Sequence, residues 1–258
     1  MATDRLRRRR ARRYFSVLLV IGVTTAAASA PAAAPGDDMI PDVSAIFTAP
    51  FSPEELPARG SAPIRLSLLE KVVFQTGVNP VLRELEIDLD RHLGLSVAGL
   101  PSCPKAFGDY GPRSDTLVKC EEAKVGSGRV DVMVAFPEQQ PVGVTGRVSV
   151  YNGGVRDGHT RFWIYSFIPA PVTGAILMPL DVRRDSEGFY GWNGLLKLPE
   201  IANDSGAVTN LEIAFRKGIF SARCQTGRLR ARGVSRFANG SVWTNSAPQT
   251  CRRQDAAS

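Results

Sequence analysis

Glu86, Asp88 and Asp90 alternate with Leu85, Ile87 and Leu89, so on an extended strand the three carboxylates leave one face together. Acids stacked in this way repel one another unless water or cations separate them. Two chemistries suit such a row. One is ligation of a divalent cation such as calcium. The other is general acid and base work on a glycosidic bond, which needs two carboxyl groups and no histidine. The ordinary alternative is a wet sheet face with Arg or Lys opposite. The Asp-x-Asp-x-Asp-Gly loop of helix–loop–helix calcium sites is absent, and no metal or cofactor is expected. A carboxylate-dependent glycan hydrolase would draw first on Asp88, Asp90, Asp131 and Glu138.

Other catalytic constellations have little to work with. His92 and His159 are the only histidines, so a three-histidine zinc site and a His-x-x-x-His pair are both excluded. His159 falls in Arg156-Asp157-Gly158-His159, which reads as an exposed hairpin turn, and His92 reads as an inter-strand residue. Neither a Gly-x-Ser-x-Gly elbow nor a glycine-rich phosphate loop is present. Towards the carboxyl end, Arg228, Arg230 and Arg232 alternate with Leu229 and Ala231. With Arg216 and Lys217 they form a candidate anion-binding set for a cell-wall polymer or acidic glycan. They serve equally well as a structural counter to the Glu86–Asp90 face.

The elements that would position these groups are strands. Glycine and proline together number 42 of 258 residues and fall at short intervals, leaving little room for long helices. Apolar residues recur with period two at Ile64, Leu66 and Leu68, at Leu85, Ile87 and Leu89, at Val130, Val132, Val134 and Phe136, and from Val142 through Val150 to the turn-like Asn152-Gly153-Gly154. Phe162–Ile168 is nearly continuous apolar, as in a central strand. One of its two faces, Trp163/Tyr165/Phe167 or Phe162/Ile164, lines the core, and the other lies under a loop or is exposed. Further strands are expected over 175–182, 189–198, 208–215, 229–237 and 241–245, with a tight hairpin at Asn239-Gly240. Ser52-Pro53-Glu54-Glu55 has the form of a helix start, ended by Pro57. The pattern predicts an all-β fold, an antiparallel β-sandwich over 46–251, with a disordered tail at 252–258.

Cys103, Cys120, Cys224 and Cys251 are the four cysteines. An even number in an oxidising compartment reads as two disulfides with three possible connectivities. The pairing of sequence neighbours, Cys103–Cys120 and Cys224–Cys251, is expected, since each pair shares one loop-like region. It closes loops of about 18 and 28 residues.

That compartment is inferred from the amino terminus. Five of the six residues Arg5–Arg10 are arginine, and Arg12 and Arg13 follow. An apolar run at 16–23 and an Ala-rich tract at 24–30 come next. These are the three parts of an export signal, and the apolar part is too short to span a bilayer. We expect a signal peptide at 1–28, a flexible linker at 29–45, and no transmembrane segment in the mature form. Arg12-Arg13-Tyr14-Phe15 resembles the twin-arginine motif, with Ala11 where Ser or Thr is usual. Without residues 1–30, basic residues fall from 32 to 25 and acidic ones from 25 to 24, so the formal charge drops from +7 to +1. The high isoelectric point therefore gives little support to a nucleic-acid partner.

Gly99-Leu100-Pro101-Ser102-Cys103, the run Cys120-Glu121-Glu122-Ala123-Lys124-Val125-Gly126-Ser127-Gly128, Phe136-Pro137, Asn152-Gly153-Gly154 and Ser221-Ala222-Arg223-Cys224 resemble, in order and spacing, a group of uncharacterised exported all-β proteins of soil actinobacteria. The resemblance implies export, two disulfides and a β-rich domain, and it implies no activity. The expectation is a secreted or envelope-associated protein, binding or structural and non-enzymatic, with the glycan hydrolase as the alternative.

Overall fold

The computed structural model describes residues 42–75, 77, 79–103, 120–168, 174–185 and 188–254. The expected signal peptide and most of the linker lie outside these residues. In chain order the strands are β1 (Val43–Thr48), β2 (Phe51–Ser52), β3 (Glu55–Pro57), β4 (Ala62–Phe74), β5 (Leu82–Asp90) and β6 (Leu93–Leu95). A 3-10 helix, Glu121–Ala123, leads into β7 (Lys124–Val134), β8 (Val142–Arg156), β9 (His159–Ile168), β10 (Gly174–Arg184), β11 (Tyr190–Lys197) and β12 (Gly206–Phe215). The rest are β13 (Phe220–Ala222), β14 (Arg228–Leu229), β15 (Ala231–Phe237), β16 (Val242–Ser246), β17 (Gln249–Thr250) and β18 (Arg252–Gln254).

The long strands make one antiparallel ladder in the order β16-β15-β5-β11-β10-β9-β8-β7-β12-β4-β13-β6, with β1 and β2 also paired to β4. Period-two alternation puts Ile64, Leu66 and Leu68 of β4, Leu85, Ile87 and Leu89 of β5, and Val130, Val132 and Val134 of β7 into one buried core. The ladder curls until its ends face each other. Phe47 of β1 lies directly on the backbone of Gly233 in β15, where a Cβ would stand 2.5 Å from the ring. Glu70 of β4 meets Ser235 of β15 across the core.

Both expected disulfides, Cys103–Cys120 and Cys224–Cys251, are present. The first belongs to a second, outer cluster. Trp163 and Tyr165, on the opposite face of β9 from Phe162 and Ile164, pack with Tyr151, Ala123 and the two cysteines. Thus Phe162 and Ile164 take the main core, and the alternate aromatics are covered by the segments carrying the disulfide. The Trp163 indole N–H donates to the Cys103 carbonyl at 2.9 Å. Trp163→Phe should keep the packing and lose that bond, lowering stability in urea melts by about 1 kcal/mol. A change much larger than this would mean that the indole also orders the outer cluster.

Several local expectations are corrected. The Ser52-Pro53-Glu54-Glu55 segment makes no helix, because Phe51 and Ser52 pair with Leu66 and Arg65 and Glu55–Pro57 pairs with β18. That parallel pairing also draws Arg252–Gln254 out of the expected tail, while β1 takes Val43–Ala45 from the expected linker. Asn152–Gly154 is a bulge rather than a strand end, so β8 runs on to Arg156 and the turn falls at Asp157-Gly158. The expected strand 229–237 breaks at Arg230, whose N–H donates to the Asp90 carboxylate at 2.9 Å instead of to a neighbouring strand.

Candidate functional site

The Glu86–Asp90 row is an ion-paired face. In the register of β11, β5 and β15, Asp88 stands between Asn193 and Arg232. The Asn193 amide donates to Asp88 Oδ1 at 2.8 Å and to Glu86 Oε1 at 2.9 Å. The Arg232 guanidinium donates from Nε to Asp88 Oδ2 at 2.8 Å, and this pairing holds the Arg232 pKa above its usual value. Arg236 reaches Glu86 at 3.3 Å. Asp90 accepts backbone N–H groups from His92 and Arg230, both at 2.9 Å, and the His92 ring nitrogen Nδ1 lies 2.8 Å from Asp90 Oδ1. Asp88 and Asp90 are 2% and 4% exposed, which leaves no opening for a sugar between them. His92 is buried with them.

The other hydrolase candidates lie elsewhere. Asp131 is on β7, five places along the ladder from β5. Burial works to raise its pKa, but hydrogen bonds from Thr145, Arg129 and Asn210 and the Arg129 charge outweigh it, so the carboxyl sits below its usual value. Such a group stays ionised and makes a poor general acid. Glu138 is exposed in the β7–β8 connection, with a φ of 59°. The four candidates therefore share no cleft. The basic set is also divided. Arg216 and Lys217 follow β12, and Arg216 lines a small hollow with Glu121 and Lys124. Arg228 is exposed on β14, Arg232 is held by Asp88, and the Arg230 guanidinium stacks 3.8 Å from the centre of the Phe189 ring.

Three features were not read from sequence. The first is Glu70, 1% exposed, which accepts from the Ser235 hydroxyl. Burial pushes its pKa up to about 7 against the lowering effect of that hydrogen bond. The second is a polar hollow of about 270 Å³ beside the β8–β9 hairpin, lined by Arg156, Asp157, His159 and the Arg161–Asp181 pair. Both oxygens of Asp181 accept from Arg161 at 2.6 Å.

The third is an apolar cavity of about 330 Å³ at one end of the core. Val134, Val144 and Ile168 line it from β7, β8 and β9, and residues 174–177 of β10 and 199–202 of the β11–β12 connection complete it. Among the described lining residues Glu200 is the one that is ionisable. The connection ends in a turn whose residues Ala202, Asn203 and Asp204 have φ of 50°, 52° and 64°. It is tied down by an Arg83–Asp204 ion pair, by Asn79 Nδ2 donating to the Asp204 carbonyl at 2.8 Å, and by Gly206 N–H donating to the Ile201 carbonyl at 2.9 Å.

Glu70 was legible in principle, since the alternation of Ile64, Leu66 and Leu68 continues through it to Val72. The cavity had no sequence signal, because it is assembled from the ends of non-neighbouring segments. Among the described residues no cluster of three or more His, Cys, Asp or Glu could hold a metal ion, and no helix is long and apolar enough to cross a membrane. Comparison with protein families, with curated proteins and with solved structures finds no match.

Proposed function

We propose that this is an exported, non-enzymatic binding protein of the cell envelope, whose two facing half-sheets act as the layers of a β-sandwich around one ligand cavity. The observation that carries this reading is how the carboxylates are used. Asp88, Asp90 and Asp131 are each engaged by arginine, amide or backbone donors, and the described lining of the apolar cavity offers one carboxylate where acid and base catalysis of glycoside cleavage needs two. The expected outcome is that the full chain shows no turnover of cell-wall glycans, and that Asp131→Asn and Glu138→Gln behave as the wild type. Turnover by the wild type that is lost in one of these folded variants would establish the hydrolase instead. A second reading, contact with anionic wall polymer, draws on Arg216, Lys217 and Arg228, the three members of the basic set that remain exposed. Such contact would be electrostatic and would weaken with salt.

A further inference from the structure

We infer that the apolar cavity is a binding site for a small apolar molecule without negative charge, closed on one side by the left-handed turn Ala202–Asp204. This rests on the reading of the chain as a binding protein, and it adds the chemical class of the ligand. Size limits the occupant first. A volume of about 330 Å³ corresponds to about ten waters of liquid volume, and it lies at the small end of ligand pockets, about 300 to 1,000 Å³. A helix or strand of a partner protein does not fit. The walls limit it next. Val134, Val144, Ile168 and Ile176 present hydrocarbon, so an apolar guest favourably removes their surface from water.

Charge at the rim sets the third limit. Glu200 is exposed at the mouth. The described lining holds no Lys, Arg or His, and Arg83, which feels the Glu200 charge, is engaged by Asp204. A carboxylate or sulfonate entering there meets repulsion with no cation among the described lining residues to receive it, whereas a neutral or cationic molecule does not.

The turn is the second, independent observation. Asn and Asp tolerate the left-handed region, but Ala does so rarely, and three consecutive non-glycine residues held there require outside contacts to maintain them. Arg83 and Asn79 supply those contacts at Asp204, while the Gly206–Ile201 hydrogen bond closes the turn itself. Backbone strain maintained by its surroundings is characteristic of ligand clamps, and this turn carries Ile201 and Ala202 into the cavity wall.

The test uses 1-naphthylamine, a neutral apolar fluorophore, and 1-naphthoate, an anion of similar size, on the full chain at neutral pH. Saturable one-site binding of the naphthylamine with a blue-shifted emission is expected, with naphthoate weaker by about tenfold. Gly174 lines the cavity, and a Cβ built on it meets nothing within 4 Å among the described residues, so Gly174→Phe should occupy the space and weaken naphthylamine by about tenfold or more while the thermal melt stays unchanged. Glu200→Gln should bring naphthoate to within about threefold of naphthylamine, and this carries the test if Gly174→Phe does not fold. No saturable binding by the wild type, unchanged affinity in a folded Gly174→Phe, or equal binding of both probes by the wild type overturns the inference. Any of these leaves the non-enzymatic reading standing, and that reading falls separately if hydrolysis is lost in Asp131→Asn.

Discussion

Glu70→Gln is expected to stabilise the protein at pH 8 and to change little at pH 4. The carboxyl is 1% exposed, and its pKa is raised from 4.5 to about 7, first by burial and against the opposing hydrogen bond from Ser235. Its Oε2 has no hydrogen-bond partner among the described residues. The sign follows from proton counting. Between pH 4.5 and about 7 the folded state binds more protons at this site than the unfolded state, so stability falls as pH rises through that window. Below it the neutral acid is accommodated in both states. Above it the folded chain carries a buried charge, at a cost of about 3 kcal/mol by the linkage relation. Glutamine keeps the shape and an acceptor for Ser235 without that charge. Urea melts should therefore show a variant more stable by about 3 kcal/mol at pH 8, equivalent to roughly 6 to 12 °C in Tm. The difference should close as pH falls towards 4. Ser235→Ala removes the one interaction that favours the ionised form and should steepen the wild-type pH dependence. A wild type and Glu70→Gln with parallel stability profiles from pH 4 to 8 would show that this carboxylate is solvated.

Arg232→Leu is the second change with a large expected effect, a loss of about 3 kcal/mol at neutral pH. Asp88 is 2% exposed. Without Arg232 it retains only the Asn193 amide among the partners described above, so its charge is left largely uncompensated in a desolvated place. Asp88→Asn in the Arg232→Leu background should recover most of the loss. A double-mutant cycle over the two positions should then report a coupling well above the range of about 0 to 1 kcal/mol found for exposed pairs. A cost below about 0.5 kcal/mol for Arg232→Leu would mean that the row is merely a wet face. The same measurement bears on the basic set. An arginine committed to Asp88 is not available to an anionic polymer, so reversing Arg232 to glutamate should affect the melting temperature before it affects any wall association.

The alternation of apolar residues was sufficient to place the core face of β4, β5 and β7 and the outward row Glu86, Asp88 and Asp90. Both disulfides were also legible, because Cys103–Cys120 and Cys224–Cys251 are separated by only 17 and 27 positions. These features depend on short-range geometry. A strand turns its side chains with period two whatever it pairs with, and a short loop brings its ends together at little entropic cost.

Partner identity depends instead on the order of strands in the ladder, which local pattern does not contain. Asp88 and Arg232 are 144 positions apart and Glu70 and Ser235 are 165 apart. They meet because β5 pairs with β15 and because the curled ladder carries β4 over β15. The basic residues that looked like one patch were divided for the same reason, with Arg216 after β12 and Arg232 on β15. Where pairing overruled local preference, Ser52–Glu55 gave up its helix signal to β4 and β18. The cavity belongs wholly to tertiary structure, since its walls come from four strands and one connection, and a space between them exists only once they are assembled. The amino-acid sequence by itself determined which residues could face the core, and the closing of the sheet decided which acid met a cation, which was buried alone, and where room for a ligand remained.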